Sequence, residues 1–150
     1  HRVNSVEDLI QRYDESGTRT MILQEIISGG EHIHCLVVGQ EKVLPLHYSR
    51  SENRYLAEEA LSDNPLSQEI ISSALAITKA YGYDVNMIEY ILRDDQIYII
   101  NGTNPAPELD RQLMTEQQFN WAVSETVSLA IKRIQEPLPR SLSSRFYTAE

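Results

Sequence analysis

One cysteine in 150 residues, Cys35, excludes an internal disulfide and any zinc site built from several thiolates. Basic residues are also scarce: 13 Lys+Arg stand against 22 Asp+Glu, a formal net charge of −9. A binder of nucleic-acid phosphate needs a basic face, so no nucleic acid is expected as a partner. No apolar run approaches the roughly 20 residues that cross a bilayer, and the N-terminus has no signal-peptide core. No membrane is therefore expected, and the chain reads as cytoplasmic. A G-x-S-x-G elbow is missing, which leaves a serine hydrolase unsupported. The acidic balance and the lack of cysteine chemistry argue against nuclease, redox and thiol-protease functions. Repeats and low-complexity segments are absent too. With 41% hydrophobic and 23% charged residues, what is left is an ordinary globular domain with one core.

Patterning supplies the layout. Ser5 followed by Asp8 resembles a capping box, and Val6, Leu9, Ile10 and Tyr13 at helical spacing predict a helix that stops at Gly17. Three β-branched runs follow: 21–27 (MILQEII), 32–38 (HIHCLVV) and 42–48 (KVLPLHY). Turns at Ser28-Gly29-Gly30 and Gly39-Gln40 join them into an expected antiparallel meander. Pro45 cannot donate to a ladder, so the third run belongs at an edge or carries a bulge. Residues 49–64 read as an exposed polar loop with about one helical turn. Asn64 as cap and Pro65 at the first helical position open a helix along Leu66, Ile70, Ala74, Leu75 and Ile77, which ends at Gly82. Residues 84–92 and 96–100 form a hairpin around Arg93-Asp94-Asp95. Thr115 with Gln118 opens a last helix through Trp121, Val127, Ile131 and Ile134. The fold class is α+β, a mostly antiparallel sheet with packed helices.

Two places could carry chemistry. Glu89 alternates with Met87 and Ile91, so a carboxylate shares a face with apolar side chains, which is costly unless it is paired, hydrogen-bonded or bound to a metal. The other reading of Glu89 is a solvent-facing residue on a half-covered edge. After the hairpin, 101–107 (NGTNPAP) sets Asn101 and Asn104 three apart; Asn, Gly and Pro are also default turn residues, so a structural turn is the other reading. Taken together, an acid on one strand and amides at the end of its partner converge on one hard cation, and magnesium prefers oxygen ligands shared with nucleotide phosphates. Side chains alternate along a strand, so Glu89 and Asn101 share a face if they pair directly; that pairing leaves Asp94-Asp95-Gln96 as a three-residue loop.

The ordered series MILQEII, glycine turn, HIHCLVVG, KVLPLHY and YGYDVNMIEYILRDDQIYIINGTNPAP resembles the C-terminal part of an ATP-grasp ligase, of the RimK-like or glutathione-synthetase-like carboxylate–amine kind. The resemblance covers roughly residues 1–135. It implies a partial ATP-grasp domain over residues 1–136; beyond it the Ser/Arg-rich composition of 137–150 reads as a polar, flexible tail. By the same resemblance ATP and Mg2+ are the cofactors, and the substrates are a carboxylate and an amine. Gln24, Glu25, Ile26 and Ile27 match the linker that clamps adenine, and Glu31 falls near the ribose hydroxyls. Glu89, Asn101 and Asn104 match the magnesium ligands. His34 and His47 stand at positions of catalytic cations. Catalysis in such enzymes rests on electrostatic stabilisation of charge moving onto an acyl phosphate.

The chain departs from that pattern in named places. Asn101 replaces an acid, and histidines stand at 34 and 47 where arginine or lysine is usual. A histidine is partly charged near neutral pH and lacks the bidentate fork of arginine. The opening HRVNSVEDL looks like the segment that follows the glycine-rich phosphate loop, and the lysine-bearing strands have no counterpart. The chain alone is therefore expected not to be a competent ligase. A degenerate module that binds a ligand or partner without turnover is the alternative.

Overall fold

The computed structural model describes residues 1–57 and 65–136. The proposed cap Asn64 and the tail at 137–150 lie outside the described residues. In chain order the elements are α1 (Val6–Ser16), β1 (Glu31–Val38), β2 (Lys42–Ser49), β3 (Arg54–Tyr55), α2 (Pro65–Tyr81), β4 (Val85–Arg93), β5 (Gln96–Asn101) and α3 (Glu116–Gln135). The strands form one sheet in the order β3-β2-β1-β4-β5, and every neighbouring pair is antiparallel.

Local chemistry sets the helix ends. Ser5 Oγ accepts the Asp8 N–H at 3.1 Å, and Gly17 closes α1 at φ 63°. Thr115 and Gln118 make the reciprocal capping box of α3. At the end of α2, the N–H of Gly82 bonds Lys79 O and that of Tyr83 bonds Thr78 O, the Schellman pattern that a left-handed glycine permits.

One expected strand is absent. Residues 21–27 run as irregular, mostly exposed chain, with Ile22 82% and Leu23 70% exposed. The place beside β1 belongs to β4, which pairs with it from Glu31↔Leu92 to Val38↔Val85. The physical reason is burial on both faces. β1 and β4 are near-continuous apolar runs that fill the centre of a sheet covered on two sides, whereas Gln24-Glu25 interrupts the first run with polar side chains. Pro45 does sit where β2 has no outer neighbour, because β3 pairs only with Tyr48 and Ser49.

Two cores flank the sheet. On one face Ile33, Cys35, Val37, Ile88 and Tyr90 pack under Ile70 and Ala74 of α2. On the other, Leu36, Val38, Leu46, Tyr55 and Met87 pack with Met114, just before α3, and Ala122 of α3. Of the apolar stripe expected on α3, Trp121 packs against the core with Phe119 and Leu129, whereas Val127, Ile131 and Ile134 turn outward and are 50–82% exposed. The apolar positions Val6, Ile10 and Tyr13 of α1 are exposed as well.

Candidate functional site

The hairpin that carries Glu89 and Asn101 closes on two residues, not three. Asp94 and Asp95 both adopt positive φ, 52° and 56°, the type I′ geometry that matches strand twist. Pairs from Arg93↔Gln96 to Tyr90↔Ile99 follow from that turn, and continuing them would set Glu89 and Asn101 on opposite faces. A bulge prevents it. The register shifts between Glu89 and Tyr90, Ile100 becomes the extra residue, and Glu89 lies directly opposite Asn101. Asn101 Nδ2 then donates to Glu89 Oε1 at 3.1 Å, and Thr103 N–H donates to Asn101 Oδ1 at 3.3 Å.

Sheet register sorts the remaining candidates. His34 pairs with Leu46 and Glu89, on the α3 face; its Nε2 is 3.8 Å from Glu89 Oε2. His47 pairs with Ile33 and therefore points to the α2 face, opposite to His34. The ring of His34 is clamped instead by tyrosines. Tyr48 stacks on it at 4.7 Å between centroids, Tyr55 meets it edge-on at 5.5 Å, and Tyr55 OH lies 3.1 Å from Nδ1. Burial, reinforced by Glu89 and Tyr48, pushes the Tyr55 phenol up to about 12. It keeps its proton at neutral pH, and a phenol donating to Nδ1 leaves the ring N–H on the Glu89 side.

Burial lowers the His34 pKa below the ordinary histidine value, and Glu89 opposes that shift by attraction. His32 is lowered too, first by burial and then by the charge of Arg50. The unfolded chain therefore takes up protons that the folded chain resists. Stability is full above the ordinary histidine pKa of about 6.5 and falls as the pH drops through it. Replacing His34 with glutamine is expected to flatten this loss, by at most about 1.4 kcal/mol per pH unit. Urea denaturation at several pH values measures the slope, and a variant as steep as the parent would place the responsible proton elsewhere.

A cavity of about 420 Å3 opens over this group, lined by Ile27, His32, His34, Tyr48, Arg50, Glu89, Ile91 and Ile100. A second of about 630 Å3 shares His32, Tyr48 and Arg50 with it and adds Gly29, Gly30, Glu31, His47, Ser51 and Leu56. The candidate adenine segment thus reaches the site through Ile27, and Gln24 Nε2 donates to Ile100 O at 3.2 Å. Glu25 and Ile26 are exposed. Asn104 is fixed by its backbone: its N–H donates to Asn86 Oδ1 at 2.8 Å, and its carbonyl accepts from Met87 N–H at 2.9 Å. Tyr48, Tyr55, Arg50, His32 and Asn86 were not among the expected site residues. Tyr48 and His32 were findable, since pairing the ends of the two runs, 38 with 42, sets His32 opposite Tyr48.

As a donor set, Glu89, Asn101 and Asn104 are all oxygen ligands with one formal charge. Among the described residues, no group of three or more His, Cys, Asp or Glu is arranged to hold a metal ion. Within the trio Glu89, Asn101 and Asn104, Glu89 is the single charged ligand. That suits magnesium only when phosphate oxygens complete its shell. No helix among the described residues is long and apolar enough to cross a membrane.

No protein-family model matches the chain, and no curated protein matches it. Solved structures do. A D-alanine–D-alanine ligase from Bacillus anthracis complexed with ATP superposes with a TM-score of 0.60 over 87% of this chain, at 14% identity. A second structure of a D-alanine–D-alanine ligase from the same organism matches at 0.55 over 98%, at 17% identity. The chain has the fold of an ATP-grasp ligase. It spans about half the length of those two ligases, 47% and 51%. The mostly antiparallel sheet with packed helices, expected from patterning, is present although the first expected strand is not.

Proposed function

We propose that this chain is the nucleotide- and magnesium-binding portion of an ATP-dependent carboxylate–amine ligase, of the RimK-like or glutathione-synthetase-like kind. One observation carries the reading: the β-bulge at Ile100 turns Asn101 onto Glu89 at the floor of a cavity walled by Ile27. In the reaction a carboxylate oxygen takes the γ-phosphoryl group of ATP, releasing ADP. The amine nitrogen then attacks the acyl carbon, and phosphate leaves. In this assignment Gln24–Ile27 hold adenine through exposed backbone groups, and Glu31 takes the ribose hydroxyls. Glu89, Asn101 and Asn104 would hold magnesium, which neutralises charge on the β- and γ-phosphates when bound. His34, neutral through burial, orients Glu89; His47, on the far face, lines the adjoining cavity, where it reaches substrate and not the cation.

Weak binding is enough to test this. With a non-hydrolysable ATP analogue, millimolar Mn2+ should broaden the amide NMR signals of Glu89, Asn101 and Asn104 first, and Glu89→Gln should abolish that response. Broadening centred on other acidic residues, or unchanged in Glu89→Gln, would overturn the assignment. A second reading, a module that binds without turnover, is favoured by the same amide: Asn101 satisfies Glu89 with an N–H and needs no cation to do so. Retention of nucleotide binding with no Mn2+ response at Glu89 would select it.

A further inference from the structure

Asn86 is polar, fully buried and unused by the chemistry above. It points from β4 to the α2 face, among apolar neighbours, where an amide is costly unless every group is bonded. All of its bonding capacity is directed outward from β4. Nδ2 donates to Thr78 Oγ1 of α2 at 3.2 Å and to Gly102 O at 3.2 Å, and Oδ1 accepts the Asn104 N–H at 2.8 Å. Thr78 is itself fully buried. Residues 102–104 belong to no helix or strand, yet this one side chain ties both ends of the segment to the core, and Met87 N–H adds a bond to Asn104 O.

We propose that Asn86 is a positioning residue that sets where Asn101 and Asn104 stand relative to Glu89. The inference rests on the magnesium reading given above. Its physical basis is geometric. A bulge leaves the end of β5 without a regular ladder to hold it. Beyond the bulge, a free loop would sample many positions for Asn104. A buried amide that bonds the carbonyl of 102 and the N–H of 104 selects one of them, and Thr78 only accepts the N–H that the loop does not use. Partners of this kind, one shell behind a metal ligand, typically change metal affinity 10–100-fold when removed.

The test compares two buried substitutions. Asn86→Ala removes the clasp, whereas Thr78→Val removes a bond at the same depth and leaves the two loop contacts in place. Both are expected to lower the melting temperature. With Mn2+ and a non-hydrolysable ATP analogue, at a temperature where both are folded, Asn86→Ala should weaken the metal response about tenfold, as Asn104→Ala does. The double variant should be no weaker than either, since the two act as a unit. Thr78→Val should respond like the parent. A parent chain with no Mn2+ response at Glu89 sinks the magnesium reading itself. A responding parent with Asn86→Ala and Thr78→Val indistinguishable sinks this inference alone. If Asn86→Ala does not fold, hydrogen exchange on the parent chain decides: the Asn104 amide should be protected far more than that of Thr103, and equal rates would overturn the clasp.

Discussion

Alanine at position 30 is expected to cost the fold about 3–5 kcal/mol, whereas alanine at position 29 should cost about 1 kcal/mol. Both glycines adopt positive φ, 75° and 87°, so both substitutions strain the backbone. They differ in what surrounds them. Nothing lies near an added Cβ at Gly29. At Gly30 the added atom would stand 2.7 Å from Leu92 O and 2.7 Å from Ile91 Cγ2. A backbone carbonyl in the central β1–β4 ladder cannot give way without breaking the pairing at Glu31↔Leu92. Arg93 adds a second tether here, donating to Ser28 O at 3.1 Å. A domain of this size is stable by about 5–15 kcal/mol, so Gly30→Ala removes a large part of the total. Thermal melts should show a drop of roughly 10 °C or more for Gly30→Ala and a few degrees for Gly29→Ala. Equal shifts would mean that the turn does not press on β4.

That close approach also explains what was legible in the sequence and what was not. The glycine turn was readable from composition, because glycine adopts left-handed conformations at no steric cost. Which strand it presses against was not, because the paired residues of β1 and β4 lie far apart in the chain, Glu31 with Leu92 and Val38 with Val85, and nothing local encodes the pairing. For the same reason MILQEII passed for a strand: its propensity is real, but Gln24 and Glu25 leave no face to bury, and β4 offers β1 more apolar surface. At the candidate site the types of residue were visible and the geometry was not. Glu89 and Asn101 stood out by chemistry, and their pairing was anticipated, but through a three-residue loop. The structure reaches the same pairing through a two-residue turn and a bulge, two changes of register that cancel. His47 shows what register adds to residue type. It follows Leu46, the partner of His34, by one residue, and that one step of alternation sets it on the other face. Tyr55 lay inside a stretch read as exposed loop, and its burial depends on the Leu113 carbonyl that accepts its N–H from far along the chain.

The second large effect concerns Asn101→Asp, and its sign should reverse with conditions. Asn101 now gives Glu89 Oε1 an N–H at 3.1 Å. An aspartate in its place removes that donor and sets a second carboxylate at the same short range, on a site where Glu89 is 30% exposed. Two such acids cannot both stay ionised without cost, so one is pushed to titrate higher and the pair shares a proton. In EDTA near neutral pH the variant should be about 2–3 kcal/mol less stable than the parent, less than full repulsion because water reaches the pair. The raised acid binds its proton more tightly when folded than unfolded. The deficit should therefore shrink as pH falls toward 5, opposite in direction to the histidine effect at His34. A divalent cation changes the balance: the two carboxylates become a doubly charged ligand pair, and magnesium held between them and nucleotide phosphates binds the folded chain alone. With millimolar magnesium and ATP the variant should then melt above the parent, by an amount on the order of 1–2 kcal/mol. Glu89→Gln keeps an amide contact, carries no charge, and should show neither the loss nor the gain. Differential scanning calorimetry of the three chains, with and without the metal–nucleotide pair, reads all of this directly. An Asn101→Asp chain that melts at one temperature in both conditions would mean that no cation visits Glu89, and that Asn101 is held opposite it by the bulge for the hydrogen bond alone.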